Sequence, residues 1–123
     1  MTSSTPPISP SCKLWMSNPT AEGVFGDGRW RLLSAIREHG SLQQACRELG
    51  ISYRKAWGDL RKSEEELGIT FLEKHRGGSG GGNTSLTEDG ERWLQAYTRF
   101  RSDVERGLQD AFNGHIRPLL GEK

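Results

Sequence analysis

Cysteine is scarce in this chain: two among 123 residues, Cys12 and Cys46, with no CxxC and no Cys/His spacing. That excludes a zinc site and leads us to expect a reduced, cytoplasmic setting. Long apolar runs are also lacking, and none approaches the ~18 residues that a membrane span needs. Residues 1–11 carry neither a basic start nor an apolar stretch, so no secretory leader is expected. Charge of one sign is missing too: 17 Lys and Arg stand against 16 Asp and Glu, a net of +1. Any nucleic-acid binding must therefore come from where the charges sit, not from bulk basicity. His39, His75 and His115 show no ligand spacing, and there is no internal repeat. No nucleophile–base pair, metal cluster or carboxylate pair occurs at usable spacing, so no catalysis, metal, cofactor or small-molecule ligand is expected.

What the chain does have is four Trp, four Phe and two Tyr, within 33% hydrophobic residues. That supplies one small core, and the length is too short for two ordinary domains. Pro6, Pro7 and Pro10 mark residues 1–11 as a tail, 12–113 read as the folded unit, and 114–123 as a second short tail. Lys13–Ser17, a turn at Asn18-Pro19 and Val24-Phe25 predict a small strand or hairpin. Trp30, Leu33 and Ile36 (with Leu32 beside them) recur at helical spacing in a helix opening at Asp27 or Gly28 and closing at His39-Gly40. Ser41 caps a helix over 42–49 that Gly50 stops, and Ser52 caps one over 53–67 that Gly68 stops. Tyr53, Ala56, Trp57, Leu60 and Leu67 mark the inward face of the latter. Ile69–Glu73 is β-branched and aromatic, which predicts a strand, and Thr84–Leu86 a short return. Thr87 caps the longest helix, ended by Asn113-Gly114, with Glu88, Asp89 and Glu91 at its positive end. Its apolar stripe is Trp93, Tyr97, Phe100, Val104, Leu108 and Phe112.

The junction Ala45–Ser52 suits a turn between two crossed helices. Small Ala45 and Cys46 allow close approach, Gly50 takes a positive φ, and Ile51 plugs the gap. An ordinary helical hairpin and a DNA-binding helix-turn-helix both fit that junction. Beyond it, Arg54, Lys55, Arg61 and Lys62 lie outside the apolar stripe, with Ser52 and Tyr53 at the helix start. A recognition helix reads base edges with its first turns, while longer basic residues reach phosphates. Residues 41–62 and 74–83 carry seven bases against two acids, a balance of +5, which leaves −4 for the rest. One pole of a nearly neutral protein is thus basic.

Gly77–Asn83 holds five of the sixteen glycines. A phosphate-binding nucleotide loop would need Lys-Ser/Thr and a helix directly behind it, whereas Asn83-Thr84 and a strand follow. A wing tip fits better, with Arg76, Gly78 and Asn83 against a sugar-phosphate backbone. Gly58 sits inside a helix, where glycine costs ~1 kcal/mol against alanine. Packing against a neighbouring helix is its expected cause, with close approach to DNA as the alternative. The last helix is longer than so small a domain can cover, and Trp93, Tyr97, Phe100, Val104 and Leu108 form a candidate dimer interface. Folding back of Ile116, Leu119 and Leu120 is the alternative cover.

At these residues the chain resembles a known family. GRWRLLSAI (Gly28–Ile36), GSLQQA (Gly40–Ala45), SYRKAW (Ser52–Trp57) and GGSGGGNTSLTEDG (Gly77–Gly90) are similar to the N-terminal domain of the molybdate-responsive ModE regulators. EEELGITFLE (Glu64–Glu73) also resembles the LysR-type winged helix. The resemblance implies a mainly α winged helix-turn-helix with a small β wing, a long C-terminal dimerisation helix, and a homodimer on a two-fold-related site in double-stranded DNA. It implies Ser52, Tyr53, Arg54 and Lys55 at the major groove, Arg76 to Asn83 at the wing, and a link to molybdenum or tungsten metabolism. The family's oxyanion-binding domains have no counterpart in 114–123, so molybdate sensing is not expected of this chain. Ser41, Arg61 and Lys62 complete the expected DNA contacts. The rival reading is a winged helix whose basic face meets an acidic protein; a phosphate-handling enzyme built on the glycine loop is a third.

Overall fold

Local signals set most of the element boundaries. The computed structural model describes residues 7–75 and 83–121. They form β1 (Trp15–Asn18), β2 (Ala21–Gly26), α1 (Asp27–His39), α2 (Leu42–Leu49), α3 (Tyr53–Leu67), β3 (Leu72–His75), β4 (Asn83–Leu86) and α4 (Glu88–His115). A 3-10 turn, Arg117–Leu120, follows. The serines act as expected: Ser41 Oγ accepts from Gln44 N–H, and Ser52 Oγ from Lys55 N–H, both at 3.1 Å. Gly50, at φ 69°, donates its N–H to the Arg47 and Cys46 carbonyls and ends α2. Ile51 N–H then closes on the Cys46 carbonyl at 3.0 Å, so both orphan ends of the turn are satisfied.

β1 and β2 pair antiparallel, as do β3 and β4, in two separate two-stranded sheets. Asn18 builds the first turn, its Oδ1 accepting the Thr20 and Ala21 N–H groups at 2.9 and 2.7 Å. The second hairpin begins later than Ile69–Glu73 suggests. Phe71 spends its backbone elsewhere: its N–H goes to the Glu64 carboxylate at 2.7 Å and its carbonyl to Thr87 N–H at 2.8 Å. Laddering therefore starts at Leu72, opposite Leu86, and runs to His75 opposite Asn83.

The core lies between α1, α2, α3 and the first half of α4. Leu32, Leu33, Ile36, Ala45, Ala56, Leu60 and Leu94 are buried there. Aromatics close it: the Phe25 ring stands edge-on to Tyr97 and Trp93, with centroids 5.0 and 5.4 Å away, and Phe71 lies at 5.9 Å. Gly90 is required at the base of α4, because a Cβ there would meet the Phe71 carbonyl oxygen at 2.4 Å.

α4 does not stop at Asn113-Gly114. It continues to His115, since glycine only weakens a last turn, and it ends where Pro118 has no N–H to continue the ladder. The turn behind it lies against Phe112, with the Arg117 guanidinium 5.8 Å from that ring's centroid. Residues 1–6 of the expected tail lie outside the described residues.

Candidate nucleic-acid interface

α3 is two-sided. Ala56, Leu60 and Ser63 are buried, while Ser52, Arg54, Lys55, Arg61 and Lys62 are exposed. Two residues expected inside are outside: Tyr53 is 46% exposed and Trp57 36%. Trp57 serves instead as a platform for cations. Lys74 Nζ of β3 sits 4.4 Å from its ring centroid, and the Arg61 guanidinium 5.7 Å. An exposed aromatic ring thus joins β3 to α3 and holds two positive charges beside each other. Lys55 is not loose either, for its Nζ pairs with Asp59 at 3.2 Å. Arg29 also approaches that carboxylate, at 3.8 Å.

Ser41 and the wing base are held together. Thr84 N–H donates to the Gly40 carbonyl at 2.9 Å, which places Asn83 next to the start of α2. Ser41, α3, Lys74 and Asn83 therefore form one continuous arc. Arg76 and Gly78 lie outside the described residues. Packing does not account for Gly58, since a Cβ there meets no heavy atom within 4 Å.

The expected dimer residues divide. Tyr97 keeps only 3% of its surface and belongs to the protomer's interior, while Trp93 is half-buried against the core. Phe100 is 44% exposed, and Val104 and Leu108 are half-buried along the same helix.

A buried polar knot fixes the direction of α4, and no spacing in the sequence announced it. Asp27 Oδ1 accepts from Tyr97 Oη at 2.8 Å and Arg101 Nε at 2.9 Å. Its Oδ2 accepts from Leu14 N–H at 3.0 Å and Arg101 Nη2 at 3.2 Å. Burial alone would raise the Asp27 carboxyl, but the bonds from Arg101, the Leu14 N–H and Tyr97 hold it below the ordinary value. Burial, and then the bond to Asp27, push the Tyr97 phenol up. Arg101 also lies over the Trp30 ring at 4.9 Å and pairs with Glu105 at 3.0 Å. A second knot ties α1 to α3 and β2: Arg29 Nη1 donates to the Gly23 and Val24 carbonyls and to Ser63 Oγ. An Asp in the first turn of a helix, and an Arg and a Ser within helices, give only the faintest signal of these roles.

Cys46 is a buried core residue, and burial raises its thiol above the ordinary value. Among the described residues, no three His, Cys, Asp or Glu side chains cluster as metal ligands. No helix among them is long and apolar enough to cross a membrane.

Comparison with known proteins agrees with this geometry. The chain is 38% identical over 85 residues to the transcriptional regulator ModE of Haemophilus influenzae, covering 69% of this chain and 32% of that protein. It is 36% identical over 75 residues to the DNA-binding transcriptional dual regulator ModE of Escherichia coli, covering 60% and 29%. Against the molybdenum-pterin-binding protein MopB of Rhodobacter capsulatus it is 35% identical over 84 residues, covering 68% and 31%. The chain thus spans about a third of the length of these relatives. A crystal structure of the BenM_DBD/benA site 1 DNA complex superposes with a TM-score of 0.55 at 26% identity, covering 70% of this chain and 94% of that one. The model of the "Bacterial regulatory helix-turn-helix protein, lysR family" matches residues 28–91, from the first turn of α1 to the first turn of α4, and the chain belongs to that family.

Proposed function

We propose that this chain binds double-stranded DNA as a homodimer in the cytoplasm and regulates transcription. The observation that carries the proposal is the one-sided exposure of Arg54, Lys55, Arg61 and Lys62 on the helix that follows the helix-turn-helix turn. In this reading α3 enters the major groove. Tyr53 and Arg54 meet base edges, and Ser52 and Lys55 act at the groove's rim. Arg61, Lys62 and Ser41 take phosphates, and so does the wing through Arg76, Gly78 and Asn83. Ser41 and Ser52 accept backbone N–H groups as caps, which leaves each hydroxyl proton for a phosphate oxygen. Lys55 can turn to DNA at little loss, because Asp59 keeps Arg29 nearby.

The dimer is proposed to form through Phe100, Val104 and Leu108 beyond the part of α4 that the core covers. A helix of 28 residues spans ~42 Å, well past the four-element core. Exposed Leu119, at 81%, extends the apolar surface at its far end. The names of the relatives support a role in molybdenum-linked regulation.

Selection of bound sequences from a random duplex pool tests the reading. An inverted repeat is expected, with affinity falling steeply as salt rises. Binding without sequence preference, or binding to an acidic protein in place of duplex DNA, would reject it.

A further inference from the structure

Gly58 lies in the second turn of the 15-residue α3, where glycine is the least favourable residue after proline. Nothing in the fold asks for it. Its φ is not positive, and a Cβ would meet no heavy atom within 4 Å. Packing and backbone conformation, the two ordinary reasons for a helical glycine, are both missing. Its position is distinctive. At about 100° per residue, Gly58 points away from buried Ala56, Leu60 and Ser63, along the middle of the exposed face. Its neighbours three and four residues away are Lys55, Arg54, Arg61 and Lys62, all four exposed cations. The centre of the basic face is therefore a bare stretch of backbone ringed by long positive side chains.

A helix stands off from its ligand by the side chains at the centre of its contact face. Without a Cβ the backbone can close to van der Waals contact, while flanking cations reach outward to charges on either side. We infer that Gly58 is the seat of α3 on DNA: the point where helix backbone meets the groove, fixing the depth from which Arg54 reaches a base. This rests on the DNA-binding reading above.

The test compares wild type, Gly58→Ala and Gly58→Leu for Tm and for affinity to a duplex chosen by the pool selection. A merely structural glycine, or an idle one, predicts that Tm and affinity move together or that affinity stays put. The inference predicts opposite movements. Both variants should melt higher, Gly58→Ala by about 4 °C, because each is a better helix former than glycine. Affinity should fall about tenfold for Gly58→Ala and about a hundredfold for Gly58→Leu, as expected when a methyl or an isobutyl group is forced into a close contact. Wild-type binding with unchanged affinity in both variants overturns the inference and leaves the DNA reading intact. If wild type binds no duplex, both fall.

Discussion

Asp27→Asn removes a charge while keeping the side chain's shape, and so isolates what holds α4 to the helix-turn-helix. The aspartate receives four bonds: two from Arg101, one from Tyr97 and one from the Leu14 N–H. Asparagine offers one acceptor oxygen, and its NH2 would face donors that need acceptors themselves. If the oxygen stays on the Tyr97 side, the Leu14 N–H and Arg101 Nη2 lose their partner. Hydrogen bonds to a charged group are worth about 1.5–3 kcal/mol each, and Arg101 recovers part of its loss through Glu105. The expected destabilisation is about 3 kcal/mol, at the lower end for breaking a buried pair. Urea unfolding at pH 7 and fixed protomer concentration measures it. The pH dependence adds a second check. Because the folded carboxyl titrates below its unfolded value of about 3.9, its stabilisation is full above that value and is lost as pH falls through the folded one. Wild type should therefore lose stability faster than the variant below about pH 4, and the gap should narrow. A destabilisation under about 0.5 kcal/mol, or a gap unchanged down to about pH 2, would refute the reasoning.

Arg54→Ala should weaken specific binding by about 1–3 kcal/mol and relax preference at particular base positions. Equal loss on specific and random duplexes would reassign Arg54 to phosphate. Lys62→Ala should instead weaken binding uniformly and reduce the slope of log affinity against log salt by about 1, read from titrations at several salt concentrations. Gly90→Ala should destabilise the fold by about 2 kcal/mol, because its methyl would collide with the Phe71 carbonyl 2.4 Å away. Thermal melting checks it, and a variant melting at or above wild type would mean that α4 shifts freely at its base.

The sequence was most legible where structure is decided within a few residues. Ser41 with Gly50, and Ser52 with Gly68, delimit α2 and α3 because a cap and a left-handed glycine act on their own helix. β3 starts at Leu72, later than the β-branched run at Ile69 suggests, because a strand starts where its partner is and the Phe71 backbone is committed to Glu64 and Thr87. Hydrophobicity alone puts Trp57 inside, yet an indole face also suits cations, and Lys74 comes to it from a different element. The Asp27 knot joins residues 14, 27, 97 and 101, a juxtaposition that no local pattern encodes. At the candidate site, the residue types on α3 could be read directly. Which of them touch one another could not.

α4 runs unbroken from Glu88 through its anchor at Tyr97 and Arg101, with Phe100 between them, and on past Val104 and Leu108 to His115. In the proposed dimer this makes the helix a phase-setting shaft between two DNA-reading heads. Each residue contributes ~1.5 Å of rise and ~100° of rotation. One residue inserted just after Arg101 would swing Val104 and Leu108 by about 100° relative to the head and to Phe100, while four would return them to within about 40°. The distance between operator half-sites, and the face of the duplex on which each lies, would then be written in the residue count of α4. Evolution could retune the operator's spacing by indels in this helix without altering a single base-reading side chain.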